Sequence, residues 1–249
     1  MEEITSRKNP QVQHLKKLGT DVKYRDACGA FLCDGVKLYE EALRSGAEIT
    51  LVAVSARDLA VSGAAHVILV PEDVLASISP QKSPQGIVFV CKRREVEPVS
   101  DAKCVLILDG IQDPGNVGGL IRTAHAFGAD QVILTGDTAD LYHPRTVRAS
   151  MGAVFRQAVC VMDVDGIMNY VNQNDLLLLG AALSEGGRIA GDAMPTRVAF
   201  AIGSEGRGLS PELLACCHDT VRIPMEDMES LNANIAGAIL LWEVYKGSS

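Results

Sequence analysis

Apolar residues recur along this chain in two rhythms that alternate. Over Asn9–Leu18 and Val36–Ser45 they return every three or four positions, the spacing that gathers them on one face of a helix. Leu51–Ser55, His66–Val70 and Gly86–Cys91 are short apolar runs and read as buried strands. Lys92–Asp101 is charged, contains Pro98 and shows no apolar periodicity, so it reads as a linker. The alternation then resumes, with strands at Val105–Leu108, Gln131–Thr135, Leu176–Ala181 and Val198–Ile202. Helical spacing covers Val117–Phe127, Pro144–Met151, Asp165–Asn172 and Pro211–Cys217, and an apolar helix runs from about Leu231 to Tyr245. Strands alternating with helices predict an α/β chain with a mostly parallel sheet covered on both faces. The expected division is a small N-terminal α/β domain over 1–95, a link at 96–103 and a second domain over 104–249.

Composition narrows the class. Of 249 residues, 47% are apolar and 22% charged, which excludes a disordered or fibrous chain. The longest apolar stretches, such as Leu176–Leu183, fall far short of the roughly 20 residues that span a bilayer. Met1–Pro10 has no signal-peptide core. The seven cysteines are odd in number and irregularly spaced, so no disulfide framework is expected. Cys28, Cys33, Cys91, Cys104 and Cys160 sit among apolar neighbours as small core residues would, and the adjacent pair Cys216-Cys217 is a poor chelate. The expectation is a cytoplasmic protein with neither membrane nor metal partner.

The net charge of -8 argues at first against a polyanionic partner. Its distribution changes that. Residues 1–103 carry 14 Lys+Arg against 14 Asp+Glu, so all the excess negative charge lies beyond them. Within the neutral part, Arg7, Lys8, Lys16, Lys17, Lys23 and Arg25 fall in the first 25 residues beside His14. They are candidate phosphate contacts, and a solvated face is the alternative.

In parallel sheets the ligand sits on the loops that follow the carboxyl ends of the strands. Three such loops are rich in glycine and polar residues: Asp109–Gly119, Gly203–Ser210 and Pro224–Asn234. In the first, Asn116 is suited to cap the following helix and Arg122 lies six residues further on. In the second, Glu205 among three glycines argues against an anion and for a hydroxyl, an amine or an arginine as its partner. In the third, Ser230, Asn232 and Asn234 crowd the head of an apolar helix, and capping explains only one of them. No G-x-G-x-x-G and no G-x-x-x-x-G-K-[ST] appears, which lowers the case for a nicotinamide-dependent oxidoreductase.

Together the loops resemble the three motifs of the SpoU (TrmH-type) RNA ribose methyltransferases of the SPOUT class. The matches are Asp109…Asp113-Pro114…Asn116…Gly118…Arg122-Thr123-Ala124…Phe127-Gly128, then Gly203-Ser204-Glu205-Gly206…Gly208-Leu209-Ser210, then Ile223-Pro224-Met225…Glu229-Ser230-Leu231-Asn232. Arg148-Ala149-Ser150-Met151-Gly152-Ala153 looks like the same family. Ile4-Thr5-Ser6-Arg7…Asn9-Pro10 with Phe31-Leu32…Gly35-Val36 resembles the ribosomal-protein-like substrate-binding domain often placed ahead of it. The third loop is one residue shorter than the family pattern, Ala233-Asn234 stands where Val-Ser is frequent, and Asp34 stands where glutamate is usual.

The resemblance implies a SPOUT domain with a C-terminal trefoil knot, an exception to the rule against knotted chains. It implies S-adenosylmethionine as donor, an RNA ribose 2′-OH as acceptor (ribosomal RNA before transfer RNA) and a homodimer. It also assigns Asn116, Arg122, Glu205, Ser230 and Asn232 to catalysis. To the cofactor it assigns Leu183, Ile202, Gly203, Ser204, Glu205, Gly206, Gly208, Ile223, Pro224, Met225, Ser230, Leu231 and Asn232. Arg148 joins the basic cluster as a candidate for RNA. A non-catalytic RNA-binding protein with a degenerate methyltransferase half is the competing reading, and the joint presence of the five catalytic candidates counts against it.

Overall fold

A computed structural model describes residues 1–56, 61–182, 187–191, 193–227 and 230–248. They form two compact units, one of Met1–Glu95 with Asp140–Phe155 and one of Val96–Ala139 with Arg156–Ser249.

The elements of the first unit are β1 (Glu2–Glu3), α1 (Pro10–Thr20), α2 (Val22–Cys28), β2 (Ala30–Asp34), α3 (Val36–Arg44), β3 (Ile49–Val54), β4 (Ala64–Leu69), α4 (Glu72–Ala76) and β5 (Ile87–Lys92). The sheet order is β1-β4-β3-β5-β2; β4 runs parallel to β1 and β3, while β5 is antiparallel to β3 and β2. Asn9 caps α1 by accepting the Gln11 N–H at 2.8 Å, with Pro10 at the first helical position. Val12, Leu15 and Leu18 then share its buried stripe. Both faces of the sheet are covered. Leu32, Val88 and Val90 join the core beneath α1, whereas their neighbours Phe31, Cys33, Ile87, Phe89 and Cys91 join the opposite core with Leu38, Tyr39 and Ala42 of α3, as period-two alternation requires.

The second unit opens with β6 (Cys104–Asp109), α5 (Pro114–Ala126) and β7 (Gln131–Leu134). The chain then gives Asp140–Phe155, including α6 (Pro144–Ala149), to the first unit. It resumes with β8 (Val159–Val161), α7 (Val164–Gln173), β9 (Leu177–Ala181), β10 (Arg188–Ile189), β11 (Val198–Gly203), α8 (Pro211–Cys216), β12 (Asp219–Arg222) and α9 (Ala233–Ser248). The order β10-β12-β9-β11-β6-β7-β8 is parallel at every pairing. From β6 the chain steps outward through β7 to β8, then crosses to the other side, so β6 and β11 flank the point where the order reverses. α9 packs against α5, and Gly237 makes this possible: a Cβ there would stand 2.4 Å from Leu120 Cδ2.

Three expectations need correction. Residues 104–249 do not stay together, because Val147 and Phe155 are buried in the first unit's core and Tyr142 packs on Phe31 with centroids 4.6 Å apart. Arg25 is not a phosphate contact. It is 2% exposed, its Nε and Nη2 donate to Asp140 Oδ2 at 3.0 and 2.6 Å, and its Nη1 donates to the Leu18 carbonyl at 2.8 Å. Cys28 is exposed rather than part of the core. The strand β12 and the helices α2 and α4 escape the apolar pattern because they are short and half polar, and β8 because it is only three residues long. No helix among the described residues is long and apolar enough to cross a membrane, and none of their His, Cys, Asp or Glu side chains group as a metal site.

Candidate active site

Three loops leave the carboxyl ends of β6, β11 and β12 in the second unit, and hydrogen bonds tie them together. The first is set by Asp113, whose Oδ1 accepts the N–H groups of Gly115 and Asn116 at 2.7 and 3.2 Å, with Pro114 at the first helical position of α5. Asp113 therefore occupies the capping position expected of Asn116, and the Asn116 side chain is free to turn outward. Its Nδ2 donates to Glu205 Oε1 at 3.0 Å, 89 residues away.

The second loop is pinched shut. Ser204 and Gly208 exchange N–H···O bonds of 3.0 and 2.8 Å. A Cβ on Gly203 would lie 2.0 Å from the Gly208 carbonyl carbon, so no side chain fits there. Buried Asp109, register partner of Gly203, accepts the Ser210 N–H at 2.6 Å and anchors the far end of the loop to β6. Ser210 then caps α8 through Leu213 N–H.

Asn232 caps α9: its Oδ1 accepts Asn234 N–H at 2.9 Å and its carbonyl accepts the N–H groups of Ile235 and Ala236. Its Nδ2 donates to Glu205 Oε1 at 2.5 Å and approaches Asn116 Oδ1 at 3.3 Å. Asn234 Nδ2 donates to Asn116 Oδ1 at 2.8 Å, and Asn234 lies where a Cβ on Gly119 would reach 2.5 Å from its Oδ1. Two asparagine amides and, at 3.4 Å, the Ala233 N–H are the partners of Glu205, rather than a hydroxyl, an amine or an arginine.

Beside this network is a cavity of about 340 Å³, within the range of small-molecule sites. Of the residues expected at the cofactor, Ile202, Gly203, Ser204, Glu205, Gly208, Ile223, Met225, Ser230 and Leu231 line it; Gly206, Pro224 and Asn232 do not. Leu183 lies outside the described residues. Its remaining walls are mostly apolar, with Ala181, Ala182, Leu209, Leu214 and Ala236, and Arg207 and Arg222 add two cations. That combination suits a flat heteroaromatic ring held by main-chain groups, and S-adenosylmethionine carries one.

Arg122 stands apart. Six residues beyond Asn116 on α5, it is about 9 Å further along the axis and on a different face, exposed and without an ion pair among the described residues. Sequence reasoning missed Asn234 as a member of the network and the end of β9 as a cavity wall. The small residues Gly180-Ala181-Ala182 at a strand end were the available signal.

The sequence model of the SpoU rRNA Methylase family matches residues 103–242. The chain belongs to this family. A model of the MRM3-like substrate binding domain matches residues 9–88. Among relatives, a 23S rRNA guanosine 2′-O-methyltransferase of Bacillus subtilis (RlmP) is 32% identical over 98% of this chain and 99% of its own length. An AdoMet-bound rRNA methyltransferase from Sinorhizobium meliloti superposes with a TM-score of 0.87 at 30% identity, over 99% of this chain and 98% of that one. AviRb from Streptomyces viridochromogenes, solved with AdoMet, gives 0.87 at 26% identity, over 97% and 98%. In this SpoU chain the three motifs coincide with the three loops that bound the cavity and its polar network.

Gly203→Ala is expected to break the Ser204–Gly208 pinch and to cost at least about 1–3 kcal/mol, with loss of S-adenosylmethionine binding. Gly206→Ala, which meets nothing within 4 Å, should preserve both. Thermal unfolding with calorimetric titration of the two variants checks this, and equal behaviour would remove the steric argument.

Proposed function

We propose that this chain transfers the methyl group of S-adenosylmethionine to a ribose 2′-OH of RNA, with ribosomal RNA as the substrate class, in the cytoplasm. What carries the reading is that the second and third SpoU motifs line one cavity and the first is tied to them by the hydrogen bonds of Asn116, in a chain alike over nearly its whole length to rRNA methyltransferases. The fold's C-terminal trefoil knot belongs to the same proposal.

When bound, S-adenosylmethionine supplies an electrophilic methyl group. Gly203, Ser204, Ile223, Met225 and Leu231 would hold it, mainly through the backbone, and Ser230 and Asn232 would position its methionine end or the ribose. The chain's remaining task is to place the 2′-oxygen in line and to stabilise charge as its proton leaves. His125 and His143 belong to none of the three loops. A guanidinium accepts no hydrogen bond and does not readily lose a proton, so we assign Arg122 to an RNA phosphate and to the developing alkoxide. Asn116 and Glu205 orient the ribose through the network they share.

Arg122→Ala should bind S-adenosylmethionine normally and lose roughly 10²-fold or more in turnover. Calorimetry with methyl incorporation into ribosomal and transfer RNA tests this. Wild type without incorporation would sink the function, and a near-normal rate in the variant would sink the role.

RNA is held in part by the exposed Arg7, Lys8, Lys17 and Lys23 and the half-buried Lys16 of the first unit. Arg7 is paired with Asp73 at 2.7 Å in an exposed bridge worth little in water. Replacing Lys8, Lys16, Lys17 and Lys23 by Ala should lower the log–log salt slope of RNA binding by roughly 0.7 per lost contact, with cofactor affinity unchanged. Filter binding across a salt series reads it, and an unchanged slope would make the cluster a solvated face.

Homodimerisation is assigned to α9, where Ile235, Trp242 and Tyr245 are 51%, 46% and 44% exposed and Phe127 of α5 packs at a tilt against the two aromatics. Sedimentation at micromolar concentration should show twice the 26.5 kDa chain mass. A monomer alone would contradict it.

A further inference from the structure

The first unit holds its own cavity, of about 160 Å³. Its buried wall is Asp34, the last residue of β2, 8% exposed. The Asp34 carboxylate accepts Gln81 Nε2 at 2.7 Å and the Ser79 hydroxyl. Burial pushes its pKa up, against the pull of those two hydrogen bonds and of the Arg148 charge. A carboxylate offers about four lone-pair positions, so acceptor capacity remains on a group that lines an open cavity. Each oxygen has one donor and can accept a second, and among the described residues no cation is paired with the carboxylate.

The surroundings are arranged around that group. Gly35 has φ +110°, a backbone conformation that strains any side chain, and the Gln85 amide oxygen lies 2.9 Å from where its Cβ would stand. Gln81 and Gln85 thus share the cavity with Asp34. Lys37 and Arg148 bring two exposed cations, neither in an ion pair among the described residues. Met151 adds apolar surface and is held in an unusual place: it has φ +49° and is 48% exposed. A left-handed conformation in a bulky side chain is costly and persists where its surroundings impose it. Here the next residue, Gly152, abuts α3 so closely that a Cβ would lie 2.7 Å from Glu41 Cβ.

We propose that this cavity takes one unpaired nucleotide of the RNA, with the donor edge of a guanine on Asp34, the base face on Met151 and the phosphate on Lys37 and Arg148. This rests on the RNA reading above. Guanine is selected because its N1–H and N2–H groups lie side by side and can both meet one carboxylate. Adenine and cytosine place an acceptor nitrogen beside their amino group, and uracil flanks its single N–H with carbonyls, all of which a carboxylate repels. Cavities of about 150 Å³ accept a benzene-sized ring, so the space suits the six-membered ring of guanine, which carries both donors, with the five-membered ring, sugar and phosphate outside. Single-stranded RNA is read in this way, by base edge and base face together.

The test is calorimetric titration of the full chain with GMP, AMP, CMP and UMP. GMP should bind with a Kd on the order of 1 mM, and the others roughly tenfold more weakly or worse. Asp34→Asn keeps partners for Ser79 and Gln81 and relieves the buried charge, so it should fold, bind S-adenosylmethionine as wild type does, and lose the guanine preference. Arg148→Ala should weaken all four nucleotides while keeping the preference. Equal binding of the four, a preference that survives in Asp34→Asn, or no saturable heat from any nucleotide up to about 10 mM would overturn the proposal. Failure of the methyltransferase reading shows separately, as absent methyl incorporation by wild type, whatever the nucleotides do at Asp34.

Discussion

Glu205 Oε1 is the point at which the candidate active site is joined. It accepts Asn116 Nδ2, Asn232 Nδ2 and, at 3.4 Å, the Ala233 N–H. An ionised carboxylate accepts only, so each amide must turn its NH2 toward it. That choice fixes the rest: Asn116 Oδ1 then faces Asn232 and Asn234 and takes their donors. One acceptor therefore sets the orientation of two asparagines on two helices, and with them the start of α9. A hydroxyl or amide at position 205 could donate as well as accept and would leave that orientation undetermined.

These bonds organise the site more than they stabilise the fold. Glu205 and Asn232 are exposed and Asn116 is half-buried, so water competes for bonds that, even to a charged acceptor, contribute at most about 1.5–3 kcal/mol each. The second unit stands on its apolar layers, with Val105, Ile107, Ile133, Ala199 and Ala201 of the sheet in one core with Ile167 and Val171 of α7. Backbone geometry supplies the rest of the rigidity. The Gly203–Gly208 pinch and the Asp109–Ser210 bond fix the second loop whether or not its side chains are engaged. Such a loop presents main-chain groups at fixed positions, which preorganisation of a binding site demands.

What the sequence made legible follows the same division. The principal buried strands and amphipathic helices could be read from apolar spacing, because in a parallel sheet burial is uniform along the strand. The loops could be read as a set because glycine and small polar residues at strand ends have few structural uses. Capping could not be assigned: Asp113 and Asn116 are both good caps, and only the position of Pro114 in the helix decides for Asp113. The network was half visible, since Ser230, Asn232 and Asn234 exceed what capping needs, yet nothing in the order of residues says that Asn234 meets Asn116. Arg25 shows the opposite limit. In sequence it is one more cation in a basic stretch, and its burial depends on a carboxylate 115 residues away.

That pair also explains how Asp140–Phe155 is held in the first unit. The apolar anchors Tyr142, Val147 and Phe155 are non-directional, and several registers of the segment could satisfy them. A buried guanidinium is far less tolerant. Its Nε and Nη2 need the Asp140 carboxylate while Nη1 needs the Leu18 carbonyl, and leaving such a charge without its partner typically costs about 3–5 kcal/mol. Relative to an apolar pair of the same size, the bridge adds little net stability. Its effect is to make every other register expensive, which fixes where α6 begins. Arg148 lies eight residues beyond Asp140, so the same register sets Arg148 and Met151 at the Asp34 cavity.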